Sequence, residues 1–256
     1  SGDDRRVDLA LQGPKSLTVL RRLVDATTAA RIARLGKSEF VIGSVAGIEA
    51  IVSRTGYTGE DVGYELYVHP DRAPELWRRL LEVGAEDGLR PAGLGARDST
   101  RTEAGFPLYG HELAGQYSIS PIGAGYGAFV KLHKPFFIGR SALMAAERGR
   151  THQVVRFAMD SRGIRAIRPG DPVVNRRGQC IGHVTSCTAI EGRQVGLAYI
   201  DQRYSEEGTP IAIFPLPRGG RPTPPKAPAE LKPGDDIALP ESGRVLSRFM
   251  VKEARL

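Results

Sequence analysis

The chain has little cysteine, methionine or tryptophan: two Cys, three Met and one Trp in 256 residues. Cys180 and Cys187 lie seven positions apart in what reads as extended chain. An odd spacing sends side chains to opposite faces of a strand, so a mutual disulfide is not expected. Two unpaired thiols fit a reducing compartment. With so few cysteines and five scattered histidines, no metal-ligand spacing emerges. No stretch approaches the ~18 apolar residues of a membrane span. Ser1–Arg6 has no apolar segment behind a basic one, so no secretory signal is read and a cytoplasmic protein, or a mature organellar one, is expected. P-loop and Rossmann fingerprints are missing. So is any Ser/His/Asp or Cys/His arrangement, and no internal repeat is visible.

What remains is an ordinary globular composition, 41% hydrophobic and 25% charged, long enough for one large domain or two ordinary ones. The net charge is +7. It describes either a solvated basic surface or attraction to an anionic partner such as a polyglutamylated cofactor or an acidic carrier protein. Nucleic acid is disfavoured, because no dense Lys/Arg run is interleaved with aromatics.

Period-2 alternation predicts a strand at Val7–Leu11, a hairpin over Glu39–Val45 and Ile48–Ser53, and a strand at Tyr64–Val68. A helix is expected from Pro14, with Leu17, Leu20, Leu23 and Val24 inward. Another carries Ala73, Leu76, Trp77, Leu80 and Leu81 on one stripe. A short helix follows near Gly95–Ala104. This order implies an α+β layer, helices on one face of an antiparallel sheet. After about Arg150 short strands dominate, near 153–159, 179–186, 194–200, 210–214 and 244–252. They read as a small β-barrel or sandwich, with Pro215–Pro233 as an exposed loop. The expected division is 1–117, a connector at 118–150, and a barrel domain at 151–256.

The densest chemical signal is Ser53–Leu66, SRTGYTGEDVGYEL. Its three glycines permit positive φ or close backbone approach to a ligand. Tyr57 adds a flat face. Glu65 adds a carboxylate able to accept two parallel N–H bonds from an amidine-like edge, which pterins and purines both present. A glycine turn with a core Tyr and a solvated Glu is the plainer reading. In RPAGLGARD, Arg97 falls in the first turn of a helix, where the dipole disfavours a cation, so it points either to an anionic partner or to a surface ion pair with Asp98 or Glu103. In EAGFPLYGHEL, His111 is a conceivable base, but a lone His is more often structural. On spacing alone the reading stops at binding of a planar, partly anionic small molecule.

These same runs carry a resemblance. LQGPKS (11–16), SRTGYTGED (53–61), GYEL (63–66), RPAGLGARD (90–98), EAGFPLYGHEL (103–113), FFIGRSAL (136–143) and GHVTS (182–186) resemble, in order, the glycine cleavage T-protein, a tetrahydrofolate-dependent aminomethyltransferase family. Dehydrogenases of sarcosine and dimethylglycine and folate-dependent demethylases share the pattern.

The resemblance implies a cloverleaf with folate at its centre and a C-terminal β-barrel; this chain would be the second half of a folate-binding α+β domain followed by that barrel. It implies tetrahydrofolate as cofactor, the lipoyl carrier protein of the glycine cleavage system as partner, and no metal. Tyr57 would pack on the pterin, Glu65 would bind its amino-pyrimidine edge, Arg97 would stand near the site, and Tyr109 is a weaker carry-over. No residue here matches the family's catalytic Asp, which precedes LQGPKS in the family. A fragment, or one half of a split enzyme completed by a separate N-terminal half, is therefore expected. Two departures concern substrate identity and the barrel. Pro121–Ala128 reads PIGAGYGA where the family has P-x-E-A-G-x-x-W, and Cys187 follows GHVTS in place of glycine. A demethylase or a non-catalytic folate-binding module are the alternatives; the K-G-C-x-x-G-Q-E motif of iron–sulfur repair relatives is absent.

Overall fold

A computed structural model describes residues 4–216, 232 and 239–250. The chain divides into two compact units, 1–100 and 101–256. The first is the expected α+β layer. Its sheet has the order β1 (Val7–Gln12), β4 (Gly63–Val68), β3 (Ile48–Ser53), β2 (Phe40–Val45), all antiparallel. Alternation sends Leu9, Leu11, Val52, Leu66 and Val68 to one side. There they pack with Val19, Leu20, Ile32, Leu76 and Leu80 from α1 (Ser16–Arg21), α2 (Ala26–Ala33) and α3 (Ala73–Gly84). The other side carries Asp8, Ala10, Gln12, Ser53, Gly63, Glu65 and Tyr67, and ends at Phe40 and Ile42, which are 60% and 55% exposed.

Several local expectations shift. Pro14 does not open α1; Gly13, at φ 112°, turns the chain and Ser16 starts the helix, its hydroxyl donating to Gly13 O at 2.7 Å. Trp77 is 38% exposed, because the buried stripe of α3 runs through Ala73, Leu76, Leu80 and Gly84 and leaves Trp77 on its flank. The compact units part at 100/101, inside α4 (Leu94–Ala104), where the sequence suggests 117.

The second unit is built on a closed six-stranded barrel, β10-β5-β8-β7-β6-β9. Its strands are β5 (His152–Arg162), β6 (Pro172–Val174), β7 (Cys180–Ile190), β8 (Arg193–Asp201), β9 (Pro210–Ile213) and β10 (Glu241–Leu246). Val155, Phe157, Met159, Val173, Val184, Ile200, Ile213 and Val245 fill the interior. A Cβ on Gly196 would stand 2.6 Å from the Phe157 ring, so glycine there makes room for the largest apolar side chain of the core. Val154 and Leu197 point outward and are covered by Ile119 and Ala124, so β5 is apolar on both faces. Helix α5 (Arg140–Arg148) has no buried residue. The strand expected at 244–252 is β10, three residues earlier in its start; 251 and 252, and most of the Pro215–Pro233 loop, lie outside the described residues.

Candidate functional site

The glycine-rich run joins β3 to β4 and is pinned from beneath by Gln12. The Gln12 Nε2 donates to Thr55 O at 3.2 Å and Tyr64 O at 3.3 Å, and its Oε1 accepts from Thr58 Oγ1 at 3.0 Å. A Cβ on Gly56 or Gly63 would run into the Gln12 side-chain amide. Those two glycines therefore serve close packing, and only Gly59, at φ 83°, uses the left-handed region. Gln12 is legible only as part of LQGPKS; its role depends on β1 lying beside β4, which no local spacing announces.

Held this way, the loop places Thr55 beside Glu65, on the open side of β4. Thr55 Oγ1 donates to Glu65 Oε2, and the Tyr67 hydroxyl reaches the same oxygen at 3.3 Å. The Arg97 guanidinium, from the first turn of α4, lies 5.8 Å from the centre of the Tyr57 ring. A cation against an aromatic face is favourable, and it makes one wall of flat, positively charged surface beside a carboxylate. Arg97 is thus brought to Tyr57, and it and Glu65 both act on Asp8. Tyr109 belongs to the second unit, on a turn, 81% exposed. His111 lies on the same exposed turn.

Asp8 joins this group unannounced. It is exposed as a residue, yet partial desolvation of its carboxyl, and then the Glu65 carboxylate, push its pKa up to about 6, while Arg97 pulls it down. Desolvation, followed by Glu65 and Asp8, raises Tyr67 as well. The group can accept hydrogen bonds from a ligand edge, stack a ring and hold an anion.

The turn bearing Tyr109 and His111 is tied down by a buried knot. The Arg101 guanidinium donates to Glu112 Oε2 at 2.8 Å and to Ser186 Oγ at 2.9 Å; Ser186 in turn donates to Glu112 Oε1 at 2.5 Å, and Leu108 N donates to Glu112 Oε2 at 3.0 Å. Arg101 and Glu112 are both 0% exposed. Among the described residues no group of His, Cys, Asp and Glu could hold a metal ion, and no helix is long and apolar enough to cross a membrane.

The family model "GCVT N-terminal domain" matches residues 1–134, and "Glycine cleavage T-protein C-terminal barrel domain" matches 152–221. The chain belongs to the glycine cleavage T-protein family. The Alkaliphilus metalliredigens protein named aminomethyltransferase is 44% identical to it over 211 residues, 81% of this chain and 55% of that protein. The Moorella thermoacetica protein of the same name is 48% identical over 195 residues, 75% of this chain and 50% of that protein. The crystal structure of glycine cleavage system aminomethyltransferase T from Bartonella henselae superposes with a TM-score of 0.65 at 26% identity, over 94% of this chain and 58% of that one. The chain spans about half the length of the curated relatives it matches. As a T-protein family member it is a mixed α/β unit followed by a barrel, from a family of transferases.

Proposed function

We propose that this chain supplies the folate-facing part of a tetrahydrofolate-dependent aminomethyltransferase. The reaction moves a methylene from an aminomethyl group on the lipoyl arm of a carrier protein to tetrahydrofolate and releases ammonia. The observation that supports this reading is that Thr55 meets Glu65, that Arg97 lies over Tyr57, and that Glu65 and Arg97 both act on Asp8. A pterin fits that donor set: it offers a row of N–H groups and a flat ring. Thr55 fixes Glu65 Oε2, leaving Oε1 to accept from the amino-pyrimidine edge. Tyr57, steadied by Arg97, offers its ring for stacking, and Arg97 offers its charge to an anionic part of the ligand.

Tetrahydrofolate, when bound, supplies the one-carbon acceptor. The residues here bind and orient it, which is where much of the rate enhancement of such a transfer arises. No residue of this chain is assigned the proton transfer. By the family pattern the catalytic carboxylate lies in the part of the family's length that these residues do not span, and Tyr109 is kept as a weaker folate contact. The test is ammonia release from an aminomethyl-loaded lipoyl carrier protein, with and without a family N-terminal half added in trans or by fusion. The 256 residues alone should be inactive and the completed enzyme active. Full turnover by the isolated chain would show a catalytic group within it. No turnover after completion, with folate bound normally, would point to a demethylase or a folate-binding module.

A further inference from the structure

Resting on the folate reading, we infer that Asp8 is a second ligand-positioning residue of this face, accepting one N–H of the bound heterocycle while Glu65 accepts another. The register sets the geometry. Ala10 is paired with Glu65 and Asp8 with Tyr67, so Asp8 stands diagonal to Glu65 on the same side of the sheet. Diagonal neighbours lie about 7–8 Å apart along such a ladder, a span that a two-ring edge with several donors bridges. Among the described residues β1 is paired with β4 alone. Within the described residues Asp8 has neither a hydrogen bond nor an ion pair. The charged and titratable groups around it are Glu65 and Tyr67 on β4, Arg97 on α4, and Arg6 just before β1, whose guanidinium donates to Arg5 O at 2.9 Å.

A carboxylate beside a second carboxylate, partly desolvated and without a donor, is relieved by a ligand that brings N–H groups. Binding should therefore deprotonate Asp8. The sign follows from its raised pKa of about 6: affinity should rise as pH climbs through that value, with proton release on binding below it.

The chain completed with a family N-terminal half is titrated calorimetrically with 5-formyltetrahydrofolate from pH 5 to 8 in two buffers of different ionisation heat. Asp8→Asn should weaken binding about tenfold or more at pH 7.5, the loss of one charge-assisted hydrogen bond. It should also flatten the pH dependence and abolish the proton release, with melting temperature unchanged. Asp8→Glu, which keeps the charge, should recover part of the affinity. Unchanged affinity and proton release in Asp8→Asn, with Glu65→Ala impaired, overturns the role of Asp8 alone. If neither substitution matters, or the completed enzyme does not bind the folate at all, the folate reading fails and this inference with it.

Discussion

Cys187 and Cys180 share strand β7 and differ in what surrounds their sulfurs. Burial, and then the Asp171 charge, pushes the Cys187 thiol up to about 12, whereas Cys180 is exposed. The thiolate is the reactive form. At pH 8 a maleimide should therefore label Cys180 quickly and Cys187 only after unfolding, which peptide mass spectrometry reads directly. Comparable labelling rates at both would contradict the burial of Cys187. The ligand-facing residues make a second prediction. Glu65→Ala in the completed enzyme should weaken folate binding well over tenfold, the cost of removing one partner of a charged pair, with Glu65→Gln milder. Tyr57→Ala should lose about 1–3 kcal/mol of affinity, by analogy with bases stacked on aromatics. Titrations showing unchanged affinity would remove either residue from the site. Tyr57, Glu65 and Arg97 are legible in the sequence because each sits inside a short contiguous motif. Asp8 is not, and Gln12 is legible in LQGPKS without its role, because their neighbours are more than forty positions away and only the β1–β4 register brings them close.

Among elements, α2 carries a local signal in its cap rather than in its stripe. Asp25 caps it, its Oδ1 accepting from Thr27 N at 2.8 Å and Thr28 N at 2.9 Å and its Oδ2 from Thr28 Oγ1 at 2.7 Å. Yet α1 ends only a few residues before, and a helix carrying two buried residues has too weak a stripe to stand out. The Thr28 hydroxyl bond leads the causes that hold the Asp25 carboxyl below its ordinary 3.8. A depressed pKa means that its stabilisation is present above 3.8 and lost as pH falls through the lower folded value. Asp25→Ala should lower the melting temperature at pH 7, and the difference from the parent should close as pH drops below 3.8. A constant gap across that range would remove the cap as its cause. The sheet strands are legible because their alternation matches one buried and one open face. β6, three residues long, falls below what any periodicity can reveal. α5 lacks the buried stripe that would mark it.

For the molecule as a whole, the change from helix-and-sheet to barrel is visible in the run of short strands after Arg150, while the parting of the units inside α4 is not, since a helix gives no compositional break there. The last turn of α4 belongs to the barrel unit through Arg101. Arg101→Met would leave the enclosed Glu112 without its guanidinium partner, and breaking such a pair typically costs about 3–5 kcal/mol. The double change Arg101→Met with Glu112→Gln should cost less than the sum of the two single ones, as a denaturant-unfolding cycle would show. Strict additivity would mean the two groups do not act together.

The closure of the barrel sets an order in time. β10 sits between β5 and β9 in space, yet it follows β5 by some eighty positions in the chain. During translation, β5, β8, β7, β6 and β9 can form a curved sheet while both of its borders, β5 and β9, still present unpaired backbone groups. Such borders readily recruit other chains. The interval between synthesis of Ile213 and arrival of Val245 at the ribosomal exit is thus the nascent chain's period of greatest exposure to neighbours on the same polysome. Slowing elongation between those two codons would lengthen it.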